Sequence, residues 1–118
     1  MSREIPPKVQ QILKQLNDMQ KTYQNISVQK QQIQISLLEA KNAFDAMKNS
    51  EDEYVYRLVG GVFIKMKKND VISELEETIK LLETRIKVLE EQEKKIIDDM
   101  KKAEDEIRKM MGGGPPAS

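Results

Sequence analysis

Tyr54-Val55-Tyr56-Arg57-Leu58-Val59-Gly60-Gly61-Val62-Phe63-Ile64-Lys65-Met66 is a run of β-branched and aromatic residues, interrupted at its middle by a glycine pair. Val, Ile, Tyr and Phe suit a pleated strand. Two adjacent glycines accept the positive φ angles that a two-residue hairpin turn demands. The run therefore predicts a β-hairpin over residues 54–67 with Gly60-Gly61 at its tip. The pairing follows from the turn: Val59 faces Val62, Leu58 faces Phe63, Arg57 faces Ile64, and Tyr56 faces Lys65. Both faces of such a hairpin are largely apolar. The alternative is a hydrophobic loop joining two helices.

On either side of this segment the apolar period changes from two to seven. Upstream, the seam reads Val9, Ile12, Leu16, Met19, Tyr23, Ile26, Lys30, Ile33, Leu37, Ala40, Phe44, Met47. Downstream it reads Ile72, Leu75, Ile79, Leu82, Ile86, Leu89, Glu93, Ile96, Met100, Ala103, Ile107, Met110. Steps of three and four alternate without a slip, which is the a/d pattern of a coiled coil. The fold class is therefore mainly α: a long antiparallel two-helix coiled coil with a β-hairpin inserted between the helices. It reads as one domain over 1–118, with an N-terminal helix over about 6–48, the hairpin over 54–67, a C-terminal helix over about 70–111 and a disordered tail over 112–118.

The punctuation agrees. Pro6 and Pro7 are tolerated in a first helical turn, where a missing N–H is no loss. Asn49-Ser50-Glu51-Asp52-Glu53 is a polar break that carries no seam residue. Asn69 or Asp70 offers an N-cap for the second helix, and Gly112 suits the left-handed position beyond its end. A helix of this length spans roughly 65 Å at about 1.5 Å per residue, so the expected molecule is a rod with the hairpin at one end and both termini at the other.

Folding the two seams together pairs Val9 with Met110, Ile33 with Ile86 and Met47 with Ile72, each pair summing to 119. The two charged seam residues, Lys30 and Glu93, then fall in adjacent layers with opposite signs. They read either as a register pin or as side chains that snorkel out of a narrow seam. A pin predicts a coupling energy of about 0.5 kcal/mol or more in a double-mutant cycle on Lys30 and Glu93. No coupling would remove it.

Charge is zero overall, 20 basic against 20 acidic groups, but unevenly placed. Residues 1–50 carry seven Lys/Arg against four Asp/Glu together with nine Gln, whereas residues 69–111 carry nine against thirteen. The second helix also holds acid-before-base pairs at i,i+4: Glu76–Lys80, Glu83–Lys87, Glu90–Lys94, Glu91–Lys95, Asp98–Lys102, Glu104–Arg108 and Asp105–Lys109. At roughly 0.2–0.5 kcal/mol each, they contribute on the order of 2 kcal/mol of helix stability. The first helix has almost none and should depend on its partner.

These features exclude several function classes. With no Cys and no His there is no thiol or imidazole chemistry, no disulfide, and no usual zinc or copper ligand. Gly60-Gly61 lacks the further Gly or Lys-Ser/Thr that cradles phosphate, and the carboxylates fall on solvent faces at i,i+4 from lysines, the arrangement of a solvated salt-bridge face. No enzyme activity, cofactor or metal is expected. Lys65, Lys67 and Lys68 form a small basic cluster that is followed at once by Asp70 and an acidic helix, so nucleic acid is not expected either. No apolar run spans a bilayer and no secretory h-region opens the chain, so no membrane is expected. A thin fold without disulfide staples points to a cytoplasmic location.

A lone hairpin with apolar faces and two open edges is marginal in water. Pairing with hairpins of other subunits would close it, which makes Tyr54, Val55, Tyr56, Leu58, Val59, Gly60, Gly61, Val62, Phe63, Ile64 and Met66 the candidate oligomerisation residues. At the other end, Ile5, Leu13, Ile97 and Met111 lie off or beyond the seam, and fraying would uncover Val9, Ile12, Ile107 and Met110. Exposed apolar residues there, methionines included, suit varied apolar partners. Ordinary seam residues beside frayed termini are the plainer reading.

The arrangement as a whole resembles the β-type subunits of prefoldin, of the archaeal type. The resemblance covers essentially the whole chain, and Tyr54 through Met66 with its glycine pair is its most specific part. One hairpin between the arms, not two in tandem, is similar to the β-type and not the α-type. The resemblance implies a hexamer of two α and four β subunits, with hairpins forming a double β-barrel platform and coiled coils hanging from it. It implies an ATP-independent holdase that captures unfolded proteins at the coiled-coil tips and delivers them to a group II chaperonin. Carried onto this chain, the client-binding residues are Ile5, Val9, Ile12, Leu13, Leu16, Ile107, Met110 and Met111. The alternative is a structural or tethering coiled coil with no client binding, which would account for the heptads and leave the hairpin unexplained.

Overall fold

Helix α1 covers Pro7–Asn49, strand β1 Tyr54–Val59, strand β2 Val62–Lys67 and helix α2 Lys68–Met110. These elements come from a computed structural model that describes residues 4–112. The expected disordered tail over 112–118 falls outside the described residues except for Gly112. The architecture is the expected one: mainly helical, with two long helices and an antiparallel hairpin between them.

The hairpin has the expected register throughout, from Val59 opposite Val62 to Tyr54 opposite Lys67. Gly60 and Gly61 take φ values of +55° and +81°, the positive pair that a tight turn of this hand requires. A Cβ at either glycine would meet nothing within 4 Å, so the cost of a side chain there comes from the backbone alone. Gly60→Val is expected to destabilise the hairpin by about 1–2 kcal/mol, read as lost amide protection in both strands with helix content unchanged.

Helix boundaries fall within one or two residues of expectation. Helix α2 begins at Lys68, ahead of the expected cap at Asn69 or Asp70, because β2 runs straight into it without a loop. The Lys68 N–H donates to the Glu53 carbonyl at 2.9 Å, so a tertiary contact satisfies a group that a capping side chain would otherwise serve. The Lys68 ammonium also donates to the Ser50 carbonyl at 2.7 Å, placing a cation at the C-terminus of α1, where the helix dipole favours it. At the other end of α2, Gly112 takes φ +73°. There Arg108 meets Asp105 three residues back at 3.1 Å, where the i,i+4 spacing points to Glu104.

Two compact units can be distinguished. One holds the chain up to Gln29 and from Leu89 onward; the other is Lys30–Val88. Within the first, Val9, Ile12, Ile26, Leu89 and Ala103 are buried. The Ser27 hydroxyl donates to the Glu93 carboxylate at 3.0 Å, so the 26–27 region of α1 lies beside residue 93, as the layering predicts. An open groove is lined by Thr22 and Ile26 of α1 and by Gln92, Lys95, Ile96 and Asp99 of α2. Within the second unit, Ile33, Ala40 and Val71 are buried, and a similar groove runs between Lys41 and Phe44 on one helix and Glu76, Ile79, Lys80 and Glu83 on the other. In the second unit the Lys68–Ser50 contact and this groove set higher numbers on α1 against lower numbers on α2, so the helices run antiparallel there.

All the α1 seam positions are buried or half-buried, and so are those of α2 except Met110. The seam is nonetheless thin, with Val9 the one side chain under 2% exposed among the described residues. A fully buried aliphatic side chain contributes about 1.5–3 kcal/mol, so no single layer dominates. Val71 is only 4% exposed although it precedes the seam residue Ile72. That position lies beside the regular seam, where α2 begins directly after β2.

Candidate functional site

The hairpin presents its side chains on two unequal faces. Val55, Arg57, Val59, Val62, Ile64 and Met66 share one face by the strand period. Val55 and Met66 are half-buried there, and the Arg57 guanidinium donates to the Glu74 carboxylate of α2. This face is turned toward α2. On the other lie Tyr54, Tyr56, Leu58, Phe63, Lys65 and Lys67, with Tyr56 66%, Leu58 61% and Phe63 69% exposed. The Lys65 ammonium sits 4.2 Å from the centre of the Tyr54 ring, a cation–π contact. A shallow pocket beside it is lined by Asp52, Glu53, Tyr54, Tyr56 and Lys65.

The sheet has two strands, so each strand keeps an outer edge of backbone donors and acceptors with no strand beside it. Val59, Val62 and Ile64 are also about half exposed or more. Of the eleven candidate oligomerisation residues, only Val55 and Met66 are not exposed. Monomers rarely display such a contiguous apolar patch, and an open apolar edge strand is a pairing surface.

The other candidate residues divide into two groups. Val9 and Ile12 are buried, 1% and 6% exposed, and Leu16 and Ile107 are half-buried. Ile5, Leu13, Met110 and Met111 are exposed. Ile5 is tied to the first turn of α1, since the Gln10 side-chain amide donates to its carbonyl at 2.9 Å and the Gln10 N–H donates to the Pro6 carbonyl at 3.0 Å. Ile97, noted as off-seam, is half-buried. The exposed residues thus lie just before or within the first two turns of α1 and at or just past the end of α2, beside the packed seam residues Val9 and Ile12.

Comparison with known proteins decides what kind of chain this is. A family model for prefoldin subunits matches residues 10–114. The chain belongs to the prefoldin subunit family. Prefoldin subunit beta of Thermococcus kodakarensis is 39% identical over 79 residues, which cover 66% of this chain and 68% of that one. Prefoldin subunit beta of Methanococcoides burtonii is 38% identical over 81 residues, covering 68% and 69%. The crystal structure of the prefoldin beta subunit from Thermococcus strain KS-1 matches with a TM-score of 0.84 at 38% identity, over 98% of this chain and 100% of that one. The prefoldin beta2 subunit of the same strain shares the fold, with a TM-score of 0.66 at 19% identity over 75% and 95%.

Prefoldin is a family of chaperone subunits, not of enzymes, and its members form oligomers with other prefoldin subunits. Among the described residues, no group of His, Cys, Asp or Glu is placed to hold a metal ion, and no helix is long and apolar enough to cross a membrane. Sequence reasoning did not single out the Arg57–Glu74 tie or the double contact of Lys68. Both involve ordinary surface cations whose partners are brought near only by the strand-to-helix junction, so no local pattern announces them.

Proposed function

We propose that this chain is the β subunit of a hexameric, ATP-independent holdase built from two α and four β subunits, active in the cytoplasm. The hairpin over 54–67 is its assembly element. The ends of the helices capture unfolded proteins and deliver them to a group II chaperonin. The observation that carries this reading is the hairpin: Tyr56, Leu58, Val62 and Phe63 stand more than 60% exposed on a two-stranded sheet with both edges open. Burying those four side chains stabilises an assembly at about 1.5–3 kcal/mol each. The exposed set Ile5, Leu13, Met110 and Met111 supports capture at the helix ends. Methionine is flexible and polarizable, and isoleucine and leucine give apolar area without directional demands, so such a surface accepts many sequences.

The test is to mix the chain with an archaeal prefoldin α-type subunit, weigh the product by native mass spectrometry, and follow light scattering of an unfolding protein without ATP. A complex with two α and four β subunits that suppresses scattering supports the proposal. An assembled complex that leaves scattering unchanged would identify a passive scaffold instead.

A further inference from the structure

The hairpin is aimed by polar ties at its base. Most of its apolar residues are exposed, and only Val55 and Met66 near its base are half-buried. Polar contacts made by two residues, Arg57 and Lys68, add to that packing. Arg57 of β1 reaches Glu74 in the second turn of α2. Lys68, the first residue of α2, clamps both ends of the 50–53 connection: its N–H donates to the Glu53 carbonyl at 2.9 Å and its ammonium to the Ser50 carbonyl at 2.7 Å. That connection is braced further by the Asp52 N–H, which donates to the Ser50 hydroxyl at 3.2 Å. The ties differ in strength. Arg57 and Glu74 have side chains 43% and 52% exposed, where screening leaves an ion pair with little. Lys68 is half-buried, and its charged hydrogen bond is the stronger kind.

Aim matters because the strands act as a lever. Each strand has six residues, about 20 Å at roughly 3.3 Å per residue. A swing of about 20° at the base moves the glycine tip by about 7 Å, more than the ~4.8 Å between paired strands. A hairpin free to swing would present its edge at a varying distance and angle, often out of hydrogen-bonding reach of a neighbouring strand.

We infer that Lys68 is a positioning residue for assembly: by fixing the end of α1 and the entry to β1 against the start of α2, it holds the hairpin at the angle that edge-to-edge pairing needs. The inference rests on the assembly role proposed above. Lys68→Met keeps the apolar stem and removes the charged donor; Lys68→Arg restores a donor. The chain has no cysteine, so spin labels can be placed at Val62→Cys and Glu77→Cys and their separation measured in the full chain without any partner. Lys68→Met should broaden that distance distribution, leave hairpin amide protection intact, and slow assembly with an α-type subunit about tenfold, within the range over which association rates vary among variants of one interface. Lys68→Arg should recover most of both. An unchanged distance distribution overturns the inference, as does a broadened one with unchanged assembly. Loss of hairpin protection overturns it too, because Lys68 would then hold the strands together rather than aim them. If the unmodified chain fails to assemble, the assembly reading itself falls, and the partner-free distance measurement tells that failure apart.

Discussion

Replacing Leu58 and Phe63 together by glutamate is expected to leave a chain that keeps both helices and loses its partners. The two residues face each other across the strands and are 61% and 69% exposed. Nothing in the lone chain depends on burying them, and exposed substitutions of this kind usually change stability by less than about 0.5 kcal/mol. In the proposed assembly the same residues sit where the sheet closes, and truncating a buried aromatic anchor costs about 2–4 kcal/mol. Two carboxylates there add the desolvation of unpaired charges. The sum weakens association by at least about a thousandfold, since each 1.4 kcal/mol is a factor of ten. Sedimentation should show the complex replaced by free chains while circular dichroism is unchanged. A complex of undiminished mass would mean that assembly uses another surface.

The second large effect is expected at the helix ends. Changing Ile5, Leu13, Met110 and Met111 to serine removes apolar surface that is between 36% and 55% open to solvent. Assembly should persist while suppression of aggregation by an unfolding protein falls to near background, measured by light scattering without ATP. Val9→Ala and Ile12→Ala differ in kind. Both residues are buried, and such truncations cost about 1–4 kcal/mol of packing, which should appear first as fraying of the seam. If the serine variant still suppresses aggregation while Val9→Ala does not, capture runs through residues uncovered by fraying. If removal of residues 1–16 and 107–118 leaves suppression intact, the ends are not the capture surface at all.

Much of this could be read from the residues because the fold is built from two simple periods. Strict heptads place all the α1 seam positions, from Val9 to Met47, on the covered side, and the glycine pair with its flanking β-branched residues determines the hairpin register pair by pair. What escaped reading lies where three elements meet. A heptad knows only one partner helix, so it leaves Val71 off the seam, yet Val71 is 4% exposed beside the strand-to-helix junction. The early start of α2 has the same origin, since Lys68 finds its partners in Ser50 and Glu53 and has no need of a cap. Ser27 passed unnoticed because an off-seam serine has no pattern of its own; only the neighbouring layer brings it to Glu93. The helix ends were legible in polarity but not in exposure: the eight candidates looked alike, and packing separates Val9 and Ile12 from Ile5 and Leu13.

The uneven division of acid–base pairs between the helices bears on how the chain is made. Synthesis produces α1 first, the helix rich in glutamine and poor in stabilising pairs of its own. Its apolar stripe has nothing to lie against until α2 has left the ribosome. For that interval the nascent subunit is itself an uncovered amphipathic segment, the kind of chain that its assembled form is proposed to shelter.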